Sequence, residues 1–208
     1  MKLIPCTAFA LIAVATVSCA QTTRAPEASN EIEAVVAEAV AEKGVPGMIA
    51  AIADSDGVFA IGASGVRKAG SDAVVTVDDL VHVGSCTKAM TSTVLATLVA
   101  EGKLGWDSRL IDVIPELADT IHADYHGATL WDLVTHRARF PANAKSWCAH
   151  PDMELKERRI AHLKDTLRDA PKVGAGEYGY SNLGYMAAGC MAEAVTEETS
   201  VVSAMAVN

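Results

Sequence analysis

Val83-Gly84-Ser85-Cys86-Thr87-Lys88-Ala89-Met90 sets a serine and a lysine three residues apart where an apolar helix is about to begin. Residues at i and i+3 share a helix face with Cβ atoms roughly 5–6 Å apart, so the amine can reach the hydroxyl. The positive end of a helix favours a developing alkoxide, and the same field together with desolvation pushes a lysine toward its neutral, basic form. Such a pair can carry out acyl transfer. The helix is expected over Ser85 to Glu101, with Met90, Val94, Leu95, Leu98 and Val99 facing inward and Gly102 as its stop. A helix apolar nearly all round is a central one. Cys86, turned about 100° from its neighbour, points away from Lys88 and is expected to pack rather than react. By itself the tetrapeptide is weak, because a chain of this size holds about one Ser-x-x-Lys by chance, and a plain helix N-cap accounts for it equally well.

Two further stretches add weight. Tyr180-Ser181-Asn182 occurs within Gly176-Glu177-Tyr178-Gly179-Tyr180-Ser181-Asn182-Leu183-Gly184-Tyr185-Met186, and Ala128-Thr129-Leu130-Trp131-Asp132-Leu133-Val134-Thr135-His136-Arg137 lies between the two motifs. With these in order, the stretch from Gly44 to about Val195 resembles the serine β-lactamase and penicillin-binding protein superfamily, most closely its class C-like branch of esterases, D-amino-acid peptidases and carboxypeptidases. The resemblance implies an α+β fold: an antiparallel sheet flanked by helices beside an all-helical subdomain, with the active site in the cleft between them. It implies that Ser85 attacks a carbonyl, Lys88 takes up its proton, Tyr180 relays a proton to the leaving group, and Asn182 holds the substrate amide and helps position Lys88. The expected substrate is a small molecule or peptide: a β-lactam, a D-amino-acid peptide or an ester. Taken alone, Tyr-x-Asn is more often a turn or core detail; the ordered combination gives it meaning.

The chain also departs from that family. Its run usually continues with Ser-Gly-Leu-Pro, whereas Ala138-Arg139-Phe140-Pro141 stands here, and loss of the glycine puts the local turn in doubt. His136 has no carboxylate partner assignable from sequence and is read as a loop residue, not a base. The family's third motif, Lys or His followed by a small residue and Gly on a later strand, is missing, for no Lys, Arg or His follows Lys172. The chain is therefore expected to be a C-terminally truncated member lacking the last strands of the sheet and one of two oxyanion donors, a loss worth about 10²–10³ in rate. That leaves two alternatives to an active serine hydrolase: a non-catalytic envelope lipoprotein, or an unstable fragment of such an enzyme.

Composition bounds the class. The 208 residues are half hydrophobic and 21% charged, with net charge −9, which describes one globular domain and lacks the basic stripe that nucleic-acid binding needs. Lys156, Arg158 and Arg159, mixed with Glu154 and Glu157, read as a solvated helix face. At the amino end, Lys2 and the apolar Leu3 to Val17 form a signal peptide too short to span a bilayer comfortably. Thr16-Val17-Ser18-Cys19 resembles a lipoprotein box, which makes Cys19 the candidate lipidation site, while Ser18-Cys19-Ala20 also fits ordinary cleavage before Gln21. Either reading exports the protein to the periplasm, with membrane contact only through the lipid. Residues 1–19 are thus the signal, 20–29 a polar tether and 30–208 a partial hydrolase domain. Of five cysteines, Cys86, Cys148 and Cys190 lie beyond the signal, and an odd number is not a disulfide scaffold. The histidines, at 82, 122, 126, 136, 150 and 162, have no zinc spacing, so no metal and no cofactor is expected.

Periodicity places the remaining elements. Asn30 to Lys43 reads as an amphipathic helix with Ile32, Val35, Val36, Ala39 and Val40 on one stripe and Gly44 as stop. Met48 to Ala53 and Val58 to Ser64 read as a hairpin across Asp54-Ser55-Asp56-Gly57. The stretch 103–171 alternates loops with short helices, Thr129 capping one and Ile160, Leu163 and Leu167 striping another.

Overall fold

The computed structural model describes residues 27–28 and 30–196. The expected signal peptide and Cys19 lie outside the described residues. The chain divides into two compact units, one ending at Val81 and one beginning at His82.

In the first unit, Asn30–Lys43 forms α1, and Gly47–Asp54 (β2) and Gly57–Gly65 (β3) form an antiparallel hairpin. The Asp54 carboxylate accepts from the Asp56 N–H at 2.8 Å, closing the turn as aspartate does where it competes with regular pairing. Glu27–Ala28, inside the stretch expected as a tether, adds β1 parallel to β3, so the strand order is β1-β3-β2. Helix α1 lies directly on β3 because Gly62 has no side chain: a Cβ there would come within 2.8 Å of the Glu33 backbone nitrogen. The apolar stripe on α1 is narrower than its sequence suggests. Val36 is buried, but Val35 is exposed, one position round the helix from the sheet.

The second unit is helical. A 3₁₀ turn at Gly84–Cys86 leads into α2 (Thr87–Ala100), followed by α3 (Leu110–Val113), α4 (Leu130–Val134), α5 (Leu155–Thr166) and α6 (Asn182–Thr196). Thr129 caps α4 reciprocally with Asp132: the threonine hydroxyl accepts from the Asp132 N–H at 3.2 Å, and the carboxylate accepts from the Thr129 N–H at 3.0 Å. On α5, Ile160 and Leu163, and Leu167 just beyond it, are buried along the expected stripe.

The central helix is α6 rather than α2. Every residue from Leu183 to Glu193 is buried, and α6 packs against α2, α3, α4 and α5. Its small residues explain this, since they let neighbouring backbones approach from every side; a Cβ added at Gly184 would already sit 3.4 Å from the Leu133 carbonyl oxygen. Helix α2 buries only Thr87, Thr91, Leu95 and Leu98, while Met90, expected inside, is 50% exposed. The cause is that α2 meets the core along one face only.

Arg159 also overturns its sequence reading. It is buried rather than solvated, and its guanidinium donates to the Glu193 carboxylate of α6 at 2.6 Å, both side chains being at most 2% exposed. A buried pair of this kind adds little net stability when intact, but removing one partner strands a charge in the core. Arg159→Met is expected to lower unfolding stability by about 3–5 kcal/mol in urea titration, and Arg159→Met/Glu193→Met to recover most of it. A single-variant loss no larger than about 0.5 kcal/mol, typical of a surface substitution, would show that the pair is not buried as described.

Candidate active site

Ser85 sits on the 3₁₀ turn ahead of α2 rather than within the helix. The turn is entered through Gly84, whose φ of +54° suits a residue without a Cβ, and the Gly84 N–H donates to His82 Nδ1 at 3.1 Å. The helix cap is Cys86, which makes no side-chain capping bond. The Ser85 hydroxyl is thus not spent on capping, and the plain N-cap account of Ser-x-x-Lys does not hold. Cys86 itself is exposed, against the expectation that it packs, because the tight turn carries it outward.

The structure brings Ser85, Lys88, Tyr180 and Asn182 together. Ser85 Oγ lies 2.6 Å from Tyr180 Oη. Lys88, half-buried at the second position of α2, donates from Nζ to Ser85 Oγ at 3.1 Å and to Asn182 Oδ1 at 2.7 Å. Its ammonium also stands 5.1 Å from the Tyr180 ring centroid and 5.4 Å from that of Tyr185, within cation–π range. The Tyr180 phenol is held below its ordinary value, first by its hydrogen bond with Ser85 and then by Lys88, which stabilise the phenolate.

Several residues that sequence reasoning passed over hold this arrangement. Asn182 opens α6; its amide Nδ2 donates to Asn143 Oδ1 at 2.9 Å and its backbone N–H to the Ala142 carbonyl at 2.8 Å. Ser181, between the two motif residues, is buried and donates to the Pro141 carbonyl at 2.6 Å while accepting from the Gly184 N–H at 2.9 Å. Tyr185 donates to the Val134 carbonyl at 3.0 Å and meets the Ser92 hydroxyl at 3.0 Å, tying α6 to α4 and α2. The nearest sequence signal for these was the Pro141-to-Asn143 stretch following the family-like run.

His136, read from the sequence as a loop residue and not a base, is a loop residue with a positioning role that the sequence did not show. It adopts φ +60°, its carbonyl accepts from the Gly179 N–H at 2.8 Å, and its Nδ1 accepts from the Ser181 N–H at 3.1 Å. Because Nδ1 is an acceptor, the neutral ring carries its proton on Nε2. The ring lies 4.5 Å from that of Tyr180, 5.3 Å from Tyr185 and edge-on to Tyr178 at 5.7 Å. It is not a base for Ser85; it positions the Tyr180–Asn182 turn.

Among the described residues no cluster of His, Cys, Asp and Glu is placed to hold a metal ion, and Cys86, Cys148 and Cys190 are all free thiols. Burial pushes the Cys190 thiol up to about 12.

Comparison with known proteins agrees with this fold. A beta-lactamase family model matches residues 32–206, and the chain belongs to that family. Its fold is similar to a class C beta-lactamase from Rhodobacter sphaeroides, with 23% identity and a TM-score of 0.64 over 86% of this chain and 48% of that one. It is also similar to the octameric penicillin-binding protein homologue from Pyrococcus abyssi, with 25% identity and a TM-score of 0.62 over 81% of this chain and 39% of that one. A third likeness is to the D-amino acid amidase from Ochrobactrum anthropi SV3, with 23% identity and a TM-score of 0.62 over 81% of this chain and 45% of that one. The chain thus spans half or less of the length of these solved structures. The fold is β-lactamase/transpeptidase-like, with helices and a small antiparallel sheet.

The His136 geometry predicts a pH effect. Burial, and after it the Lys88 charge, lower the His136 imidazole below its ordinary value of 6.5. Below that pH the unfolded chain takes up a proton that the folded ring resists, so stability is full above about 6.5 and declines as pH falls. His136→Asn keeps an acceptor near the Nδ1 position on a residue that tolerates positive φ, and it cannot titrate. Melting temperatures recorded between about pH 5 and 8 are expected to fall less steeply on the acid side for this variant; parallel curves would refute the assignment.

Proposed function

We propose that this protein is an exported serine hydrolase that works through a Ser85 acyl-enzyme on amide, ester or β-lactam carbonyls. The observation that carries the reading is the convergence of three polar tips: Ser85 Oγ with Tyr180 Oη at 2.6 Å and with Lys88 Nζ at 3.1 Å. A serine hydroxyl is inert until a base is in reach, and this pair of contacts supplies one. For this step Lys88 first gives up a proton and turns its Nζ lone pair toward Ser85 Oγ; the amine then receives the Ser85 proton as the oxygen attacks the carbonyl. Tyr180, a stronger acid here than a free phenol, delivers a proton to the leaving group, and the C–O or C–N bond of the substrate breaks to leave the Ser85 ester. Water then attacks that ester with the same groups acting in reverse, releasing the acid and restoring Ser85. Asn182 keeps the Lys88 amine aimed at Ser85 through its 2.7 Å bond and offers its amide to the substrate.

Family membership supports the hydrolase reading, and similar structures, a beta-lactamase and a D-amino acid amidase, suggest its range. The reading needs no metal and no cofactor. A fluorophosphonate probe or a fluorescent penicillin is expected to label the full chain and not Ser85→Ala. Equal labelling of both proteins would remove Ser85 from the mechanism.

Export belongs to the same proposal and is supported by the composition of residues 1–19, with Cys19 as the lipid acceptor. Cells expressing the wild type should hold it in the membrane fraction, and Cys19→Ala should move it to the soluble fraction. An unchanged distribution, with no lipid mass on the wild-type protein, would argue for ordinary cleavage.

A further inference from the structure

A cavity of about 210 Å³ in the second unit is linked to the candidate active site through one lining residue. Asn143 lines it and also accepts from Asn182, which in turn accepts from Lys88 beside Ser85. The cavity is cationic at its polar edge. Arg139, Lys145 and Lys172 line it against one carboxylate, Asp169, and its apolar side includes Tyr125 and Val173.

Arg139 is the unusual wall residue. It holds φ +66°, a backbone region that a β-carbon disfavours, so the glycine expected there has been exchanged for a strained arginine without losing the turn. The side chain is fixed at its root, since Nε donates to the Val173 carbonyl at 2.9 Å. Its terminal nitrogens meet Asp124 only loosely, at 3.5 Å to the carbonyl and 3.8 Å to the carboxylate. Thr166, only 4% exposed, accepts from the Lys145 N–H at 3.2 Å, and its hydroxyl proton has no acceptor among the described residues. Lys172 makes no hydrogen bond or close ion pair among them either, although its charge, after that of Lys145, helps hold the Asp169 carboxyl below its ordinary value. Lys145 is already paired with Asp169 at 2.8 Å, so the donors left for a ligand are the terminal nitrogens of Arg139, which Asp124 holds only loosely, the Thr166 hydroxyl and the Lys172 amine.

Unspent donors of this type around a small space suit a carboxylate, which accepts through two oxygens and gains most from a guanidinium. The volume is below that of a site for a whole drug-sized ligand and fits a short side chain. We propose that this cavity receives a carboxylate carried on the acyl portion of the substrate, so that the site prefers acyl groups ending in an acidic function. The inference rests on the hydrolase reading for its place in catalysis, but the cavity can be tested apart from turnover.

Two measurements decide it. With the full chain, hydrolysis of the mono-p-nitrophenyl ester of glutaric acid is compared with that of p-nitrophenyl butyrate, which lacks the terminal carboxylate. The wild type should favour the acidic ester in KM, and the preference should fall roughly tenfold in Arg139→Gly, a change that relieves the backbone strain, and also fall in Lys172→Gln at the surface. Separately, calorimetric titration with glutarate should show binding that weakens with salt and in both variants. An equal preference in wild type and variants, or glutarate binding that is absent or indifferent to both substitutions, overturns the proposal. If neither ester is turned over while glutarate binds as expected, the hydrolase reading fails and the carboxylate site stands.

Discussion

The bond from Lys88 Nζ to Asn182 Oδ1 is the contact on which the rest of the site depends. A lysine side chain has four rotatable bonds and is ordinarily drawn to water, so its amine stays beside a serine only if something holds it there. Asn182 does this from the first residue of α6, the most deeply buried helix in the unit. The anchor is in turn fixed by its backbone bond to Ala142 and its side-chain bond to Asn143. The position of one flexible amine is thereby transferred to a rigid core, and Tyr180, two residues earlier in the chain, is carried to Ser85 by the same placement.

The parts legible in the sequence were those whose information is local. Ser-x-x-Lys at a helix start and Tyr-x-Asn before another segment each state a spacing, and spacing fixes which side chains share a face. The β2–β3 turn was legible for the same reason, since Asp54, Asp56 and Gly57 carry turn chemistry in themselves. Helix α6 was not. Its run Leu183-Gly184-Tyr185-Met186-Ala187-Ala188-Gly189-Cys190 is apolar or small on every side, so it has no period to read, and its centrality follows only from how many neighbours reach it. The amphipathic readings failed in the opposite direction: Met90 and Val35 were assigned inward by periodicity, which cannot say how wide a face the partner covers.

Arg159 shows a second limit. Within its own helix it sits among Lys156, Arg158, Glu154 and Glu157, and local charge density argues for solvent. Its partner Glu193 lies 34 residues away on a helix that was itself unread, so the buried pair had no local trace. Asn143 and Ser181 are similar cases. Each is a polar residue whose role is set by a partner 39 or more residues distant, and loop polarity alone says nothing of that partner.

The loop between α4 and the 141–143 segment explains how a catalytic turn can be held without regular structure. His136 and Arg139 both occupy the left-handed region, at φ +60° and +66°, where non-glycine residues cost of order 1–3 kcal/mol each. That cost is offset because the same loop grips the segment leading to Tyr180 at several points. Arg139 donates to the Val173 carbonyl, Arg137 to the Gly176 carbonyl at 2.6 Å, and His136 accepts from Gly179 and Ser181. The strap runs along nearly the whole approach to the motif, with no strand pairing. A family-like glycine at 139 would relax the turn but remove the guanidinium anchor, so the exchange trades backbone ease for a fixed cation at the cavity wall. The strain is thus more readily understood as the cost of placing a charge than as an accident of the loop.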